Sequence, residues 1–410
     1  MRRNQLLFSL LLPALLLGMG RGFTIPVLPI IAKEEFGAGV ALATFVVIAP
    51  MVGSVIATVP TGYLIDRVGR RKILIASPLV TALSSFLVFR ATSYSEFLGY
   101  MTIAGIAQQM WQMSRLAVIA DTGPQNQRGR QITSMSGVQR AGTLAGPFVG
   151  GIVGELFGLR VPFILFGLAA LVATVPTYLL IKETSPTVLA RRRGSTAKAE
   201  VDTSWSKLLT RPVLVLFASQ FFANTARGGA QGNGGPYFIF AVFAYGVGPA
   251  TLGSISLVAG VVGIPIMFAS GQIMDRRGRK WTIVPAAILL GSGLLVMIVT
   301  AGLELPFMLF AGTFVWINMA ISMMAGSMQT LGSDIAPAEA RGKFFGVNRL
   351  IAEGGSLANP ASFSLVTALV TGAAGFAAAF SIMAGGAFIS ASLVGFLVKE
   401  TLHKEIATRP

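Results

Sequence analysis

Gly62-Tyr63-Leu64-Ile65-Asp66-Arg67-Val68-Gly69-Arg70-Arg71-Lys72 is a charged turn set between two long apolar runs. Its glycine, aspartate, arginine, glycine and arginine return in the same order in Gly271-Gln272-Ile273-Met274-Asp275-Arg276-Arg277-Gly278-Arg279-Lys280, 209 residues later. A short basic turn arises readily once. Twice, at matched places between hydrophobic helices, it marks an internal duplication. Asp121 and Arg128-Gly129 likewise return as Asp334 and Arg341-Gly342, offset by 213. At the same offset, Gly142-Thr143-Leu144-Ala145-Gly146-Pro147 returns in weakened form as Gly355-Ser356-Leu357-Ala358-Asn359-Pro360.

Hydrophobic residues make up 53% of the 410 and charged residues 12%, with a mean hydropathy of +0.72. A soluble domain carries roughly twice that charged fraction. Twelve spans of about 20 residues would use some 240 positions, leaving short loops and one longer link. This is the composition of a polytopic membrane protein. The net charge of +16 does not point to nucleic acid, because of where the charges sit. On the topology below, 24 of the 32 Lys and Arg fall on one side, three (Lys33, Arg90, Arg160) on the other, and five within helices. That asymmetry predicts both termini in the cytoplasm. The chain has no cysteine, so disulfides and thiolate chemistry are excluded, and its one histidine, His403, lies in the charged tail. A metal site built on His and Cys has no parts, and no cofactor is expected.

Arg2-Arg3 followed by Leu6 to Leu17 imitates a signal peptide, but the apolar run continues to Ile31 without an A-x-A cleavage site. It reads as an uncleaved first span. Further spans are expected at 41–64, 73–92, 97–120, 131–154, 161–181, 213–242, 250–273, 281–301, 306–333, 344–370 and 375–398. The expected domains are an N-terminal six-helix bundle (1–181), a basic cytoplasmic linker (182–211) with Arg191-Arg192-Arg193 in its middle, a C-terminal six-helix bundle (212–398) and a cytoplasmic tail (399–410).

Both copies of the charged turn resemble the loop 2–3 signature of the major facilitator superfamily of secondary transporters, G-x-[LI]-x-D-R-x-G-R-[RK]. The resemblance implies an all-α membrane protein of twelve transmembrane helices in two pseudo-symmetric six-helix bundles, each built from inverted three-helix repeats. It also implies that the turn latches the cytoplasmic side in the outward-facing state. The gate residues carried over are Gly62, Asp66, Arg67, Gly69, Arg70, Arg115, Asp121, Asp275, Arg276, Arg279 and Asp334. A plainer role for the basic residues is to fix orientation. On the fifth span, Gly142, Gly146, Pro147, Gly150 and Gly151 resemble the G-x-x-x-G-P-x-x-G-G motif of drug:proton antiporters, and the small-residue face favours close helix packing in any case. Two departures count against a cation-exporting antiporter. Met101 stands in the region where such proteins carry an arginine, about twenty residues before the aspartate; their acidic residue on the first span is absent.

Six ionisable groups are placed inside the bilayer: Arg21, Arg115, Arg140, Arg227, Arg349 and Glu353. Each costs about 2.5–3.5 kcal/mol on insertion scales, so roughly 15 kcal/mol must be offset. Arg21 and Arg227 are approximate repeat mates, offset by 206. The resemblance puts their helices along a central cavity, and organic-phosphate exchangers of the superfamily use a similar pair. Two guanidiniums suit a carboxylate, phosphate or sulfonate; backbone pairing or snorkelling is the alternative. Arg349 and Glu353 share a helix face at i, i+4 and can form a salt bridge. Arg140 is the repeat counterpart of Glu353, which is either a proton carrier or half of a structural ion pair.

Candidate solute-facing residues are Arg21, Arg227, Arg140, Gln108, Gln112, Asn224, Gln231 and Asn318. Gln139, Gln329, Trp111, Trp316, Met319, Met323 and Met328 could join them, or simply face lipid or core. Gly228-Gly229 and the glycines to Gly235-Pro236 should break the seventh span. There is no G-x-S-x-G, H-E-x-x-H or G-x-x-x-x-G-K-[ST], so hydrolase, metalloprotease and ATP-driven pump readings lack parts. A channel would leave the duplicated signature unexplained. The expectation is a secondary transporter in the cell membrane, acting by alternating access on a small organic solute. That solute is anionic or amphipathic, handled as a monomeric, proton-coupled exporter without nucleic acid; the alternative is a cationic or lipophilic multidrug antiporter.

Overall fold

The computed structural model describes residues 10–122, 128–181, 183–184, 210–228, 234–324, 326–336 and 341–400. The linker from 185 to 209, Gln231, and the tail from 401 with His403 lie outside them. Among the described residues all regular structure is helical. The first half comprises α1 (Leu12–Thr24), α2 (Leu28–Glu34), α3 (Val40–Ala43), α4 (Phe45–Val68), α5 (Arg70–Arg90), α6 (Tyr94–Thr122), α7 (Arg128–Phe157) and α8 (Val161–Leu180). The second comprises α9 (Arg211–Arg227), α10 (Gly235–Tyr245), α11 (Pro249–Arg277), α12 (Lys280–Gly302), α13 (Phe307–Met323), α14 (Ser327–Ile335), α15 (Arg341–Leu369) and α16 (Gly372–Ser392), which runs into a π turn at Leu393–Leu397. Eight of the resulting spans are long and apolar enough to cross a bilayer on composition alone. The other four, at the fourth, fifth, seventh and eleventh places, carry embedded arginines or a broken backbone.

Four expected spans are divided. The first breaks between Thr24 and Leu28, where Pro26 and Pro29 lack the N–H that a continuous helix needs. The second is interrupted at Thr44, whose hydroxyl donates to Val40 O (3.0 Å). In the tenth, Gly326 adopts φ +82°, a left-handed conformation that separates α13 from α14. The seventh span breaks where its glycines predicted: Gly228, at φ +82°, ends α9.

Contacts divide the chain into two compact units, Met1–Glu200 with Gly246–Leu257, and Val201–Tyr245 with Val258–Pro410. In the first unit α1 packs on α7 and α8, α6 on α4 and α5, and α5 on α8. The second repeats this: α9 packs on α15 and α16, α12 on α13 and α16. The core of the first unit gathers Leu17, Leu74, Trp111, Ile119 and Ala170, that of the second Phe240, Phe310, Phe363, Phe376 and Phe380. Trp111, a candidate for the solute path, is 2% exposed and belongs to this core instead. Hydroxyls within the bundles bond to their own helix: Ser77 to Ile73 O, Thr81 to Ser77 O and Ser85 to Thr81 O. With no water in the hydrocarbon, such self-pairing is what permits polar side chains there.

The glycine face of α7 explains why the first turns of α11 group with the first unit. Gly142 meets Leu15 O, Gly146 meets Gly22, and Gly150 meets the Phe23 carbonyl, so α1 lies directly on the helix backbone. On another side, Gly151 abuts Pro249 O, Gly253 abuts Pro147 O, and Glu155 accepts the Ala250 N–H (3.1 Å) at the start of α11.

A Cβ at Gly150 would collide with backbone, which cannot turn aside as a side chain can. Gly150→Val should therefore eliminate the folded protein in size-exclusion and thermal-unfolding assays. Gly137→Ala on the same helix, where a Cβ meets nothing within 4 Å, should stabilise by about 0.5–1 kcal/mol.

Candidate functional site

The duplicated turn is built around a carboxylate. Gly69 (φ +106°) ends α4, and the first two N–H groups of α5 point outward with no intrahelical partner. Glu183, just beyond α8, accepts both: Arg70 N–H to Oε1 at 3.0 Å and Arg71 N–H to Oε2 at 3.3 Å. The second unit repeats the device. Gly278 (φ +113°) ends α11, and Glu400, beyond α16, accepts Arg279 N–H at 2.9 Å and Lys280 N–H at 3.1 Å. Negative charge is favoured at a helix N-terminus, so each cap also complements the helix dipole. Any side chain at Gly69 or Gly278 would strike the capping carboxylate.

The neighbouring cations tie down the same corner. Arg71 donates to Tyr178 O (3.0 Å) and lies over the Tyr178 ring; its repeat mate Lys280 donates to Gly395 O (2.7 Å) in the π turn. Arg279 bridges to Asp334 (3.0 Å), and Arg70 donates to Ala117 O (3.2 Å). Arg67 bonds the Tyr63 hydroxyl, while Asp275 and Arg276 are exposed at the end of α11. Gly62 leaves room: a Cβ there would be 3.8 Å from Met113. Asp66 and Asp121 lie on the helices α4 and α6, and their side chains lie outside the described ones.

Sequence reasoning missed Glu183 and Glu400, although a signal was present. Lys182-Glu183-Thr184 and Lys399-Glu400-Thr401 are a fourth duplicated string, 217 residues apart.

Within the spans the structure sorts the candidate polar residues. Arg115 is 3% exposed, and its guanidinium donates to Oε1 of Gln112 (2.6 Å) and of Gln139 (2.8 Å). The Gln112 carbonyl is thus engaged with Arg115, inside the first unit. Asn224 and Asn318 turn their amide nitrogens onto their own helices, to Gln220 O (2.7 Å) and Phe314 O (2.8 Å). Arg349 and Glu353 form the i, i+4 ion pair at 2.7 Å. Arg21, Arg227 and Gln108 are half-buried, and Arg140 is exposed. Trp316 donates to Leu289 O (3.0 Å). Among the described residues no cluster of His, Asp and Glu could hold a metal ion.

At the end of the first unit remote from the signature, Arg160 pairs with Glu35 (2.6 Å) and donates to the carbonyls of Phe89 (3.0 Å) and Ala91 (2.7 Å). One guanidinium thereby ties together the ends of three spans.

The profile described as the Major Facilitator Superfamily matches residues 10–360. Multidrug resistance protein 2 of Bacillus subtilis is 24% identical over 323 residues, 76% of this chain and 79% of that protein. Quinolone resistance protein NorA of Staphylococcus aureus is 24% identical over 216 residues, 53% of this chain and 55% of that protein. In structure, the D-xylose-proton symporter superposes with a TM-score of 0.75 at 18% identity, covering 96% of this chain and 98% of that one. A bacterial homologue of the iron transporter ferroportin, in its inward-facing state, gives 0.72 at 16% identity, covering 96% and 98%. These two superpositions speak for the fold.

The paired caps yield a quantitative expectation. Glu183→Gln and Glu400→Gln should each destabilise the protein by about 1 kcal/mol, and the double variant should lose the sum, because the sites lie in separate units. Thermal unfolding of the purified protein reads both effects.

Proposed function

The chain belongs to the Major Facilitator Superfamily and is a multi-pass membrane transporter working by alternating access; on that premise we propose that its solute is a small organic anion or an amphipathic compound with an anionic group. One observation carries this reading: the spans contain five arginines, Arg21, Arg115, Arg140, Arg227 and Arg349, against the single carboxylate Glu353. Glu353 is already engaged by Arg349. A carboxylate, phosphate or sulfonate on the solute supplies negative charge that guanidinium groups bind in two-pronged fashion. Arg21 and Arg140 offer this in the first unit and Arg227 in the second, with Gln108, Gln231 and Asn318 as neutral contacts.

Coupling to protons runs through Glu353. While ionised it holds Arg349; on protonation that pair is released, and the two states differ in their affinity for solute. The signature turns serve as the cytoplasmic gate, with both termini on that side of the cell membrane, and the glycine motif of α7 favours export. The chain works as a monomer and catalyses no covalent chemistry. A second reading, proton-coupled efflux of cationic or lipophilic drugs, is favoured by the names of the relatives from Bacillus and Staphylococcus.

Counterflow in proteoliposomes separates the two readings. With the anion reading, Arg21→Gln and Arg227→Gln each weaken uptake of a labelled organic anion about tenfold, the loss of one charge-assisted contact, while the melting temperature holds. Unchanged anion uptake in both variants, or saturable transport of cations alone, contradicts it. Glu353→Gln should abolish transport driven by a pH gradient yet retain solute exchange; pH-driven transport at the original rate would remove Glu353 from the coupling.

A further inference from the structure

The joint between the first and fifth spans has a repeat counterpart between the seventh and eleventh, and the two differ in chemistry. In the first unit a Cβ on Gly146 would stand 2.5 Å from Gly22 Cα, so two glycines meet with no space between. By the repeat offsets, Gly22 corresponds to Gly228 and Gly146 to Asn359. Ile31, fully buried and apolar, corresponds to Tyr237. Thr143, whose hydroxyl donates to Gln139 O (3.0 Å), corresponds to Ser356. A glycine contact in one unit has become, in the other, a place flanked by a tyrosine and an asparagine.

All three are enclosed: Tyr237 is 1% exposed, Ser356 and Asn359 0%. Asn359 gives its Nδ2 to Thr225 O. Its Oδ1, the Tyr237 hydroxyl and Ser356 Oγ have no hydrogen-bond partner. The tyrosine ring and the amide oxygen flank Gly228, where a Cβ would lie 3.2 Å from Tyr237 Cε2 and 3.7 Å from Asn359 Oδ1. The tyrosine ring cannot swing away, because it stacks on Phe380 (5.8 Å between centroids) and meets Phe314 edge-on (5.9 Å). A buried polar group left without a partner costs about 1–3 kcal/mol, so a fold that keeps two beside one glycine implies something that satisfies them.

We propose that Tyr237 and Asn359 form a neutral pocket beside Gly228 that binds an uncharged hydroxyl group. The tyrosine hydroxyl can donate, whereas the amide oxygen can only accept. A hydroxyl answers both at once. A carboxylate would be repelled by Oδ1, and an ammonium would leave the tyrosine proton unused. The hydroxyl comes from water or from the solute. Arg227 directly precedes Gly228, so a solute that reaches both is a hydroxylated organic anion; this extension rests on the anion reading above, the pocket itself does not.

The test uses the purified full chain and three probes of matched length: D-gluconate (charged, hydroxylated), hexanoate (charged, not hydroxylated) and sorbitol (hydroxylated, uncharged). Tyr237→Phe removes one oxygen; Tyr245→Phe, whose hydroxyl donates to Leu305 O (2.8 Å) in the same aromatic cluster, is the control. The pocket requires Tyr237→Phe, and not Tyr245→Phe, to weaken gluconate and sorbitol about tenfold while leaving hexanoate unchanged. Arg227→Gln reads the anion reading separately: it weakens gluconate and hexanoate and spares sorbitol. If only that pattern fails, the pocket stands and the anion is lost. If no probe binds, the melting temperature without solute decides, since a fall in Tyr237→Phe shows that a water is held. Undiminished binding of the hydroxylated probes by Tyr237→Phe overturns the pocket. So does a melting temperature that rises or stays level when no probe binds, for then the oxygen removed had held nothing.

Discussion

Inside hydrocarbon a polar group has no water to turn to, so each one must find its partner within the protein. The rest of this structure follows from how that demand is met. Serines and threonines bond back to their own helices. Arg115 is wrapped by two glutamines. Glycines let α1 lie against the backbone of α7, which replaces hydrophobic driving force with close van der Waals contact. At the membrane edge, where α5 and α12 begin, the open N–H groups are closed by Glu183 and Glu400. These caps lie just beyond the sixth and twelfth spans, so each fastens the end of its bundle to the start of the third helix. The gate assigned to the signature turn is therefore attached to a fixed frame inside each unit.

Duplication makes the two units comparable position by position. The caps, their flanking glycines and the basic residue on the last-turn carbonyl have been retained in both. The joint at Gly22 and Gly146 has not: at Gly228 and Asn359 it has acquired polar groups and a left-handed break. Retention at the signature turns and divergence within the span are what a duplicated architecture acting on a one-sided solute would leave behind.

Much of the fold was legible. Repeated glycine-aspartate-arginine strings, hydropathy and the placement of Lys and Arg carried the twelve spans and their pairing into halves. Local chemistry was legible too, since Arg349 and Glu353 at i, i+4 can hardly miss each other, and glycines around Gly228 cannot sustain a helix. What stayed hidden depends on distance along the chain. Glu183 lies more than a hundred residues from the N–H groups it caps, and Gln139 is brought to Arg115 only when α7 packs beside α6. The breaks at Thr24 and Gly326 were hidden for another reason: prolines and glycines occur throughout these helices, and only packing selects which of them interrupts. Trp111 shows the converse, a polar-tipped side chain whose hydrophobic bulk decided its place in the core.

The central claim is that guanidiniums are kept in the spans because water and solute reach them during transport. The native chain has no cysteine, so a single cysteine at position 21 or 227 can be read without background. The direct measurement is the labelling of each by a membrane-impermeant thiol reagent, applied from either face of sealed vesicles. The account predicts labelling at both positions, from one face or the other according to the state of the transporter. Positions that never react from either face would mean that water does not enter, and that these arginines are structural.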